Sequence, residues 1–189
     1  TLVNKGLELI EAHELYDVPY DQIDVAVHPE SMMHSAVEFC DGSTIAQVSH
    51  PDMRLTISLA LSWPRRLPAA ADADLAWDWR AEAKGARSWN FEPLDEAAFP
   101  AVAMARSAGE AGGCAPAIYN AANEECVAAF RIGRIDFADI VPIIGEVLAT
   151  QPGFPEPRAV DDVITAERWA REQAGSVIQR HTNAISATE

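Results

Sequence analysis

Ser35-Ala36-Val37-Glu38-Phe39-Cys40-Asp41-Gly42-Ser43-Thr44-Ile45-Ala46-Gln47-Val48 is the stretch that decides the fold class of this chain. Asp41-Gly42 is a strong tight-turn signal, because glycine reaches positive φ without a steric penalty and aspartate closes local turns with its side chain. The runs on either side, Ser35 to Cys40 and Ser43 to Val48, read as an antiparallel hairpin. Upstream, Ile23, Val25 and Val27 alternate with Asp24, Ala26 and His28, the period of a half-buried strand, and Pro29 stops it. Before the strands, Val3, Leu7, Ile10 and Leu15 recur at helical spacing, so Leu2 to Tyr16 is predicted as a helix ending at Val18-Pro19. After them, Arg54 to Trp63 reads as a short helix with Leu55 and Leu59 on one side and Pro64 as its stop. The expected fold class is α+β, a helix with a small antiparallel or mixed sheet.

Further along, the periodicity disappears from Arg65 to Pro93, where Trp77, Trp79 and Trp89 stand in acidic surroundings and Phe91 follows. A structureless loop of that length is unusual inside one domain, so 65–93 is expected to be a linker between units at 1–64 and 94–189. The remainder reads as a four-helix bundle. Phe99-Pro100 opens one helix that closes near Gly109 or Gly112-Gly113, and Ala117 to Arg131 follows with Ile118, Ala122, Val127 and Phe130 inward. Asp136 caps a third helix with Phe137, Ile140, Val141, Ile144, Val147 and Leu148 as its stripe. Thr165 is expected to cap a fourth, which runs through Trp169 and Val177-Ile178 to about His181.

Composition narrows the function. The 189 residues carry 14 Lys+Arg against 29 Asp+Glu, a net charge of −15, with no basic cluster to neutralise a run of phosphates. Nucleic acid and anionic membranes are therefore not expected partners. Cys40, Cys114 and Cys126 are odd in number and widely spaced, which suits reduced thiols of a cytoplasmic protein. The longest strongly apolar uncharged run, Leu55 to Trp63, is too short to span a bilayer. The chain starts at Thr1 inside an amphipathic pattern and is expected to continue something longer.

No Gly-x-Gly-x-x-Gly after a strand, Walker loop, Gly-x-Ser-x-Gly elbow or His-Glu-x-x-His is present. The informative group is Asn4-Lys5-Gly6-Leu7-Glu8, where helical spacing gathers an amide, an ammonium and a carboxylate over one turn near an amino-terminal end. That composition suits a sugar phosphate and a divalent cation. The same spacing also suits a solvated helix face with a Lys5–Glu8 ion pair worth a few tenths of a kcal/mol. His28-Pro29-Glu30-Ser31 and His34-Ser35 lie at a strand end, where histidines serve either a site or the structure. Asn120, Asn123 and Glu124 are expected to hydrogen-bond across the bundle, and Asp161-Asp162 to cap a helix.

Thr1 to Glu8, together with Val27-His28-Pro29-Glu30-Ser31-Met32-Met33-His34-Ser35, resembles the 1-deoxy-D-xylulose 5-phosphate reductoisomerase family, with the actinobacterial members nearest. Asp41-Gly42-Ser43, Pro51-Asp52-Met53-Arg54, Trp63-Pro64, Asn120-Ala121-Ala122-Asn123-Glu124 and Val160-Asp161-Asp162-Val163 follow in the family's order and spacing. The resemblance implies an enzyme that rearranges 1-deoxy-D-xylulose 5-phosphate and reduces the product with NADPH to 2-C-methyl-D-erythritol 4-phosphate, an early step of the non-mevalonate isoprenoid route. It implies Mn²⁺ or Mg²⁺ held by three carboxylates, of which Glu8 matches the last. Asn4 and Lys5 match substrate-holding residues, with Lys5 also near the reacting oxygens as a catalytic group. His34 matches a histidine of the active site, and Pro51 and Met53 match pocket-lining positions.

The matched residues correspond to the C-terminal half of the family. The NADPH-binding domain, the other two metal carboxylates, most phosphate-binding serines and a tryptophan-bearing lid precede that half, so no residue here is assigned to NADPH. The chain alone is expected to be inactive, and the complete protein to be a homodimer paired through strands near 35–48. The rival expectation is a non-catalytic dimerisation or scaffold fragment, or a paralogue.

Overall fold

The structure is a computed structural model that describes residues 2–68 and 88–186. Its described α-helices are α1 (Val3–Tyr16), α2 (Met53–Ser62), α3 (Ala101–Ala111), α4 (Ala115–Arg131), α5 (Ile140–Ala149) and α6 (Val160–Ser186). Its described strands are β1 (Ala26–Val27), β2 (Met33–Glu38), β3 (Thr44–Val48) and β4 (Glu92–Pro93). The α+β class stands: a helix-rich chain with small antiparallel sheets. It divides into two compact units, residues 1–24 with 95–189, and residues 25–94. That division differs from the expected 1–64 and 94–189, because α1 packs along α3 and so belongs with the helical unit. The expected roles of Trp77 and Trp79 fall outside the described residues.

In the helical unit α4 is central, packed by α6, α5 and α3. The helix α5 buries Ile140, Val141, Ile143, Ile144 and Val147, close to the expected stripe, although Phe137 lies in a preceding 3₁₀ turn and is half exposed. On α4 the inward face is Ile118, Tyr119, Ala121, Ala122, Cys126 and Ala129, while Val127 and Phe130, expected inside, are on the surface. Small residues let α4 and α6 approach closely, and α6 answers with fully buried Ala166, Ala170 and Ala174. That helix starts at Val160, earlier than the expected cap at Thr165. The Asp162 carboxylate accepts from the backbone N–H groups of Arg158 and Ala159 at 2.8 and 3.0 Å, so this member of the acidic pair caps the helix. The Thr165 hydroxyl instead donates to Asp161 O within the helix.

The helix α1 buries Val3, Gly6, Leu9 and Ile10, whereas Leu15 is exposed. The chain leaving it is fastened to α3. The Arg106 guanidinium donates to the carbonyls of Tyr20 and Ile23, the latter at 2.8 Å. The Tyr20 ring stacks on His13 and packs its hydroxyl against Gly109, where a Cβ would lie 2.1 Å from that oxygen.

The second unit holds the expected hairpin. The strands β2 and β3 pair antiparallel, Glu38 opposite Thr44 and Val37 opposite Ile45. The turn closes as its sequence suggests: Asp41 Oδ1 accepts from the N–H and hydroxyl of Ser43 at 2.9 and 2.6 Å, and Gly42 has φ 83°. The upstream strand shrinks to Ala26–Val27 and pairs with Glu92–Pro93 in a separate sheet, so part of the expected linker is a strand. The helix α2 is capped by Asp52, whose carboxylate accepts from Arg54 N–H at 2.8 Å. Cys40, Cys114 and Cys126 are all free thiols. No described helix is long and apolar enough to cross a membrane.

Candidate functional site

The first two turns of α1 bring Asn4, Lys5 and Glu8 together. Asn4 Nδ2 donates to Glu8 Oε1 at 2.7 Å, and Lys5 Nζ donates to Glu8 Oε2. Both carboxylate oxygens thus face donors three and four residues back, the geometry expected of helical neighbours. The group is open to solvent, with the Lys5 and Glu8 side chains 41% and 44% exposed. An ion pair so exposed contributes at most a few tenths of a kcal/mol. Its chemistry is more telling: an oxygen donor for a hard cation, an ammonium for negative oxygen, and an amide for a phosphate or hydroxyl.

Gly6, between these side chains, is what sequence reading missed. It is buried against α3. A glycine inside an otherwise regular helical pattern costs about 1 kcal/mol relative to alanine and so calls for a packing reason, which was the available signal.

His34 lies in the other unit. Met33 pairs with Val48 and Ser35 with Gln47, so His34 is the extra residue of a β-bulge. Bulges turn one side chain away from the regular alternation. Its Nε2 lies 3.0 Å from the Ser49 carbonyl, which only accepts, so Nε2 carries the proton and Nδ1 is the acceptor nitrogen. Pro51 and Met53 stand at the start of α2, and Met53 is 70% exposed.

His28 and Glu30 form a separate group with the 88–93 segment. His28 Nδ1 donates to Asn90 O at 2.8 Å and lies 3.0 Å from Glu30 Oε2, while its ring stacks on Phe91 with centroids 4.6 Å apart. Its Nε2 is buried with no partner among the described residues. Glu30 also accepts from the Asn90 side-chain amide at 2.5 Å. Its own backbone N–H and the Asn90 amide hold the Glu30 carboxyl below the usual carboxylate range. These contacts fasten residues 88–91 to the strand end, a structural task.

On α4, Asn120 Nδ2 donates to Glu124 at 3.0 Å, and Arg171 of α6 reaches Glu124 and Glu125 at 2.6 and 3.3 Å. The Arg171 hydrogen bond holds the Glu124 carboxyl low. Of the expected Asn120, Asn123 and Glu124, Glu124 bonds across to α6, whereas Asn120 bonds within α4. Among the described residues no group of three or more His, Cys, Asp or Glu is placed to hold a metal ion.

Comparison with known proteins agrees across sequence and structure. The family model of the DXP reductoisomerase C-terminal domain matches residues 48–173. The 1-deoxy-D-xylulose 5-phosphate reductoisomerase of Mycobacterium tuberculosis (strain ATCC 25618 / H37Rv) is 59% identical over 92% of this chain and 41% of its own length. That of Mycobacterium avium (strain 104) is 56% identical over 99% of this chain and 46% of its own length. The chain thus spans less than half the length of these curated relatives. Among solved structures, the reductoisomerase from Zymomonas mobilis in complex with NADPH superposes with a TM-score of 0.81 at 38% identity, covering 94% of this chain and 45% of that one. A DOX-P reductoisomerase in complex with NADPH, fosmidomycin and magnesium gives 0.80 at 33% identity, over 94% of this chain and 44% of that one.

Proposed function

Since this chain belongs to the 1-deoxy-D-xylulose 5-phosphate reductoisomerase family, we propose that it forms the later part of an enzyme that isomerises 1-deoxy-D-xylulose 5-phosphate and reduces the product with NADPH to 2-C-methyl-D-erythritol 4-phosphate, in the non-mevalonate isoprenoid route. What carries the reading is the Asn4–Lys5–Glu8 group, three complementary side chains hydrogen-bonded on an exposed helix face. They add little to stability there and remain accessible to a ligand.

Glu8 is the residue that would hold Mg²⁺ or Mn²⁺. Its carboxylate suits a hard cation and is exposed, but it is one ligand of about six, so the other donors are sought in the part of the relatives that this chain does not span. A divalent cation held there would supply Lewis-acid polarisation to substrate oxygens. Lys5 stabilises negative charge developing on those oxygens. Asn4 holds the phosphate end, using remote binding energy to place the reacting carbons. His34, whose Nε2 is held on the Ser49 carbonyl, is the histidine proposed to take part in the reaction. NADPH would supply the hydride, and no residue of this chain is assigned to it.

The complete protein is further proposed to be a cytoplasmic homodimer. The facing residues Val37 and Ile45 are 57% and 66% exposed on the hairpin, an apolar pair suited to a partner. A monomer in sedimentation of the complete protein would overturn this assembly.

The deciding test is Glu8→Gln in the complete enzyme that carries this sequence, followed by NADPH oxidation with 1-deoxy-D-xylulose 5-phosphate. The expected result is loss of metal-dependent turnover with melting little changed. Undiminished activity across a Mn²⁺ titration would overturn the role of Glu8. No turnover in the complete parent protein would favour a non-catalytic scaffold.

A further inference from the structure

We propose that Ala105, a buried residue of the helical unit, is a positioning residue that sets the place of Glu8 by acting through Gly6; this rests on the metal-binding role proposed for Glu8. Gly6 sits where α1 meets α3. A Cβ added there would lie 2.5 Å from Ala105 Cβ, 3.1 Å from the Tyr119 hydroxyl and 3.3 Å from the Ala101 carbonyl oxygen. None of these atoms can step aside. Ala105 Cβ has no side-chain torsion with which to turn away, and the Tyr119 hydroxyl is pinned by donation to Ala101 O at 3.0 Å. Ala101, Ala105 and Tyr119 are all 0% exposed, so the contact has no slack behind it.

The proposed ligand face is directly opposed to this seat. At about 100° per residue, Asn4 and Glu8 lie on the side of α1 away from Gly6, two residues before and after it. Their exposure and the burial of Gly6 agree with that placement. One turn of helix moves as a body, so whatever lifts α1 from Ala105 carries Glu8 outward by the same amount. Ordinary Cβ contacts begin near 3.4 Å. A methyl at residue 6 therefore lifts the helix by roughly 1 Å, a displacement large enough to disable a site that depends on exact ligand placement. The absence of a side chain at Gly6 and the small one at Ala105 thus fix the depth at which the carboxylate stands.

The test exchanges the methyl across the contact in the complete enzyme. Gly6→Ala, Ala105→Gly and the double variant are compared for Mn²⁺ binding, read by electron paramagnetic resonance of the free ion, and for thermal unfolding. Gly6→Ala is expected to weaken Mn²⁺ binding by about 10-fold or more. Ala105→Gly is expected to bind within about twofold of the parent, and the double variant to return to within about threefold, since the methyl has only changed sides. Helix propensity cannot mimic this rescue, because the exchange leaves one glycine and one alanine in both proteins.

A folded Gly6→Ala protein with parental Mn²⁺ affinity overturns the proposal, as does a folded double variant that stays as weak as Gly6→Ala. Should Gly6→Ala fail to fold, Ala105→Ser crowds the same contact by one oxygen from the α3 side. Several-fold weaker Mn²⁺ binding by that folded variant supports the proposal, and parental binding overturns it. Parental Mn²⁺ binding by Glu8→Gln in the same assay overturns the underlying reading separately.

Discussion

His34 Nε2 meets the carbonyl oxygen of Ser49 at 3.0 Å, tying the bulged start of β2 to the residue just past β3. Ser49 is itself buried, and its N–H donates to Met32 O at 3.0 Å, so the imidazole rests on a fixed acceptor. The tautomer of the neutral ring follows from that contact.

Two substitutions separate these uses of the ring. In the complete enzyme, His34→Ala and His34→Gln are both expected to lower kcat by about 100-fold, the lower range for loss of a proton-handling group. Glutamine can place an N–H where Nε2 stood, so hydrogen exchange at the Ser49 amide should stay slow in His34→Gln and accelerate in His34→Ala. Parental kcat in either variant would remove His34 from the site.

Lys5 is expected to serve both binding and turnover. Lys5→Ala in the complete enzyme should raise KM for the sugar phosphate and lower kcat by about 100-fold, as for removal of one donor to a developing oxyanion. Melting should be unchanged, because the Lys5–Glu8 pair is exposed. A change in KM alone would reduce Lys5 to a binding residue.

Tyr20 offers a test of packing against polarity. The residue is 8% exposed, yet its hydroxyl is buried with no partner among the described residues. Burial, with Glu14 and Glu110 nearby, raises its pKa above the ordinary phenol value. Removing an unsatisfied buried hydroxyl relieves a desolvation penalty of about 1–3 kcal/mol. Tyr20→Phe is therefore expected to leave the melting temperature unchanged or raise it, and a clear drop would reveal a missing partner.

The start of α2 should respond to acid. The Arg54 side chain first, and the Arg54 backbone N–H second, hold the Asp52 carboxyl below its ordinary value. A depressed carboxyl favours the folded state above its unfolded pKa, and that contribution fades as pH falls through the lower folded value. Amide exchange at Arg54 and Leu55, corrected for intrinsic pH dependence, should remain protected at neutral and mildly acidic pH and lose protection only below the ordinary carboxylate range. Asp52→Ala should show the unprotected behaviour at every pH.

The elements of this chain were legible wherever one local rule dominated. Asp41-Gly42 specified its hairpin because the turn needs only positive φ and a local acceptor, and α5 was legible because five apolar residues fall on one helical face. The reading went astray where burial depended on a distant neighbour. Val127 and Phe130 look like core residues on an isolated α4, but α6 brings alanines to that helix and selects its small residues instead. Residues 92–93 carry no strand signal, and they pair because Ala26–Val27 is there to receive them.

By itself the sequence determined the α+β class, the helices and hairpin, and the grouping of Asn4, Lys5 and Glu8, since residues three and four apart on a helix must be neighbours. Only the tertiary structure decided that α1 belongs to the helical unit, that His34 is a bulge residue, and that Gly6 sets how closely the proposed ligand helix can approach α3. Those are contacts between residues as far apart as 6 and 105, where local periodicity carries no information and the shapes of the packed side chains decide.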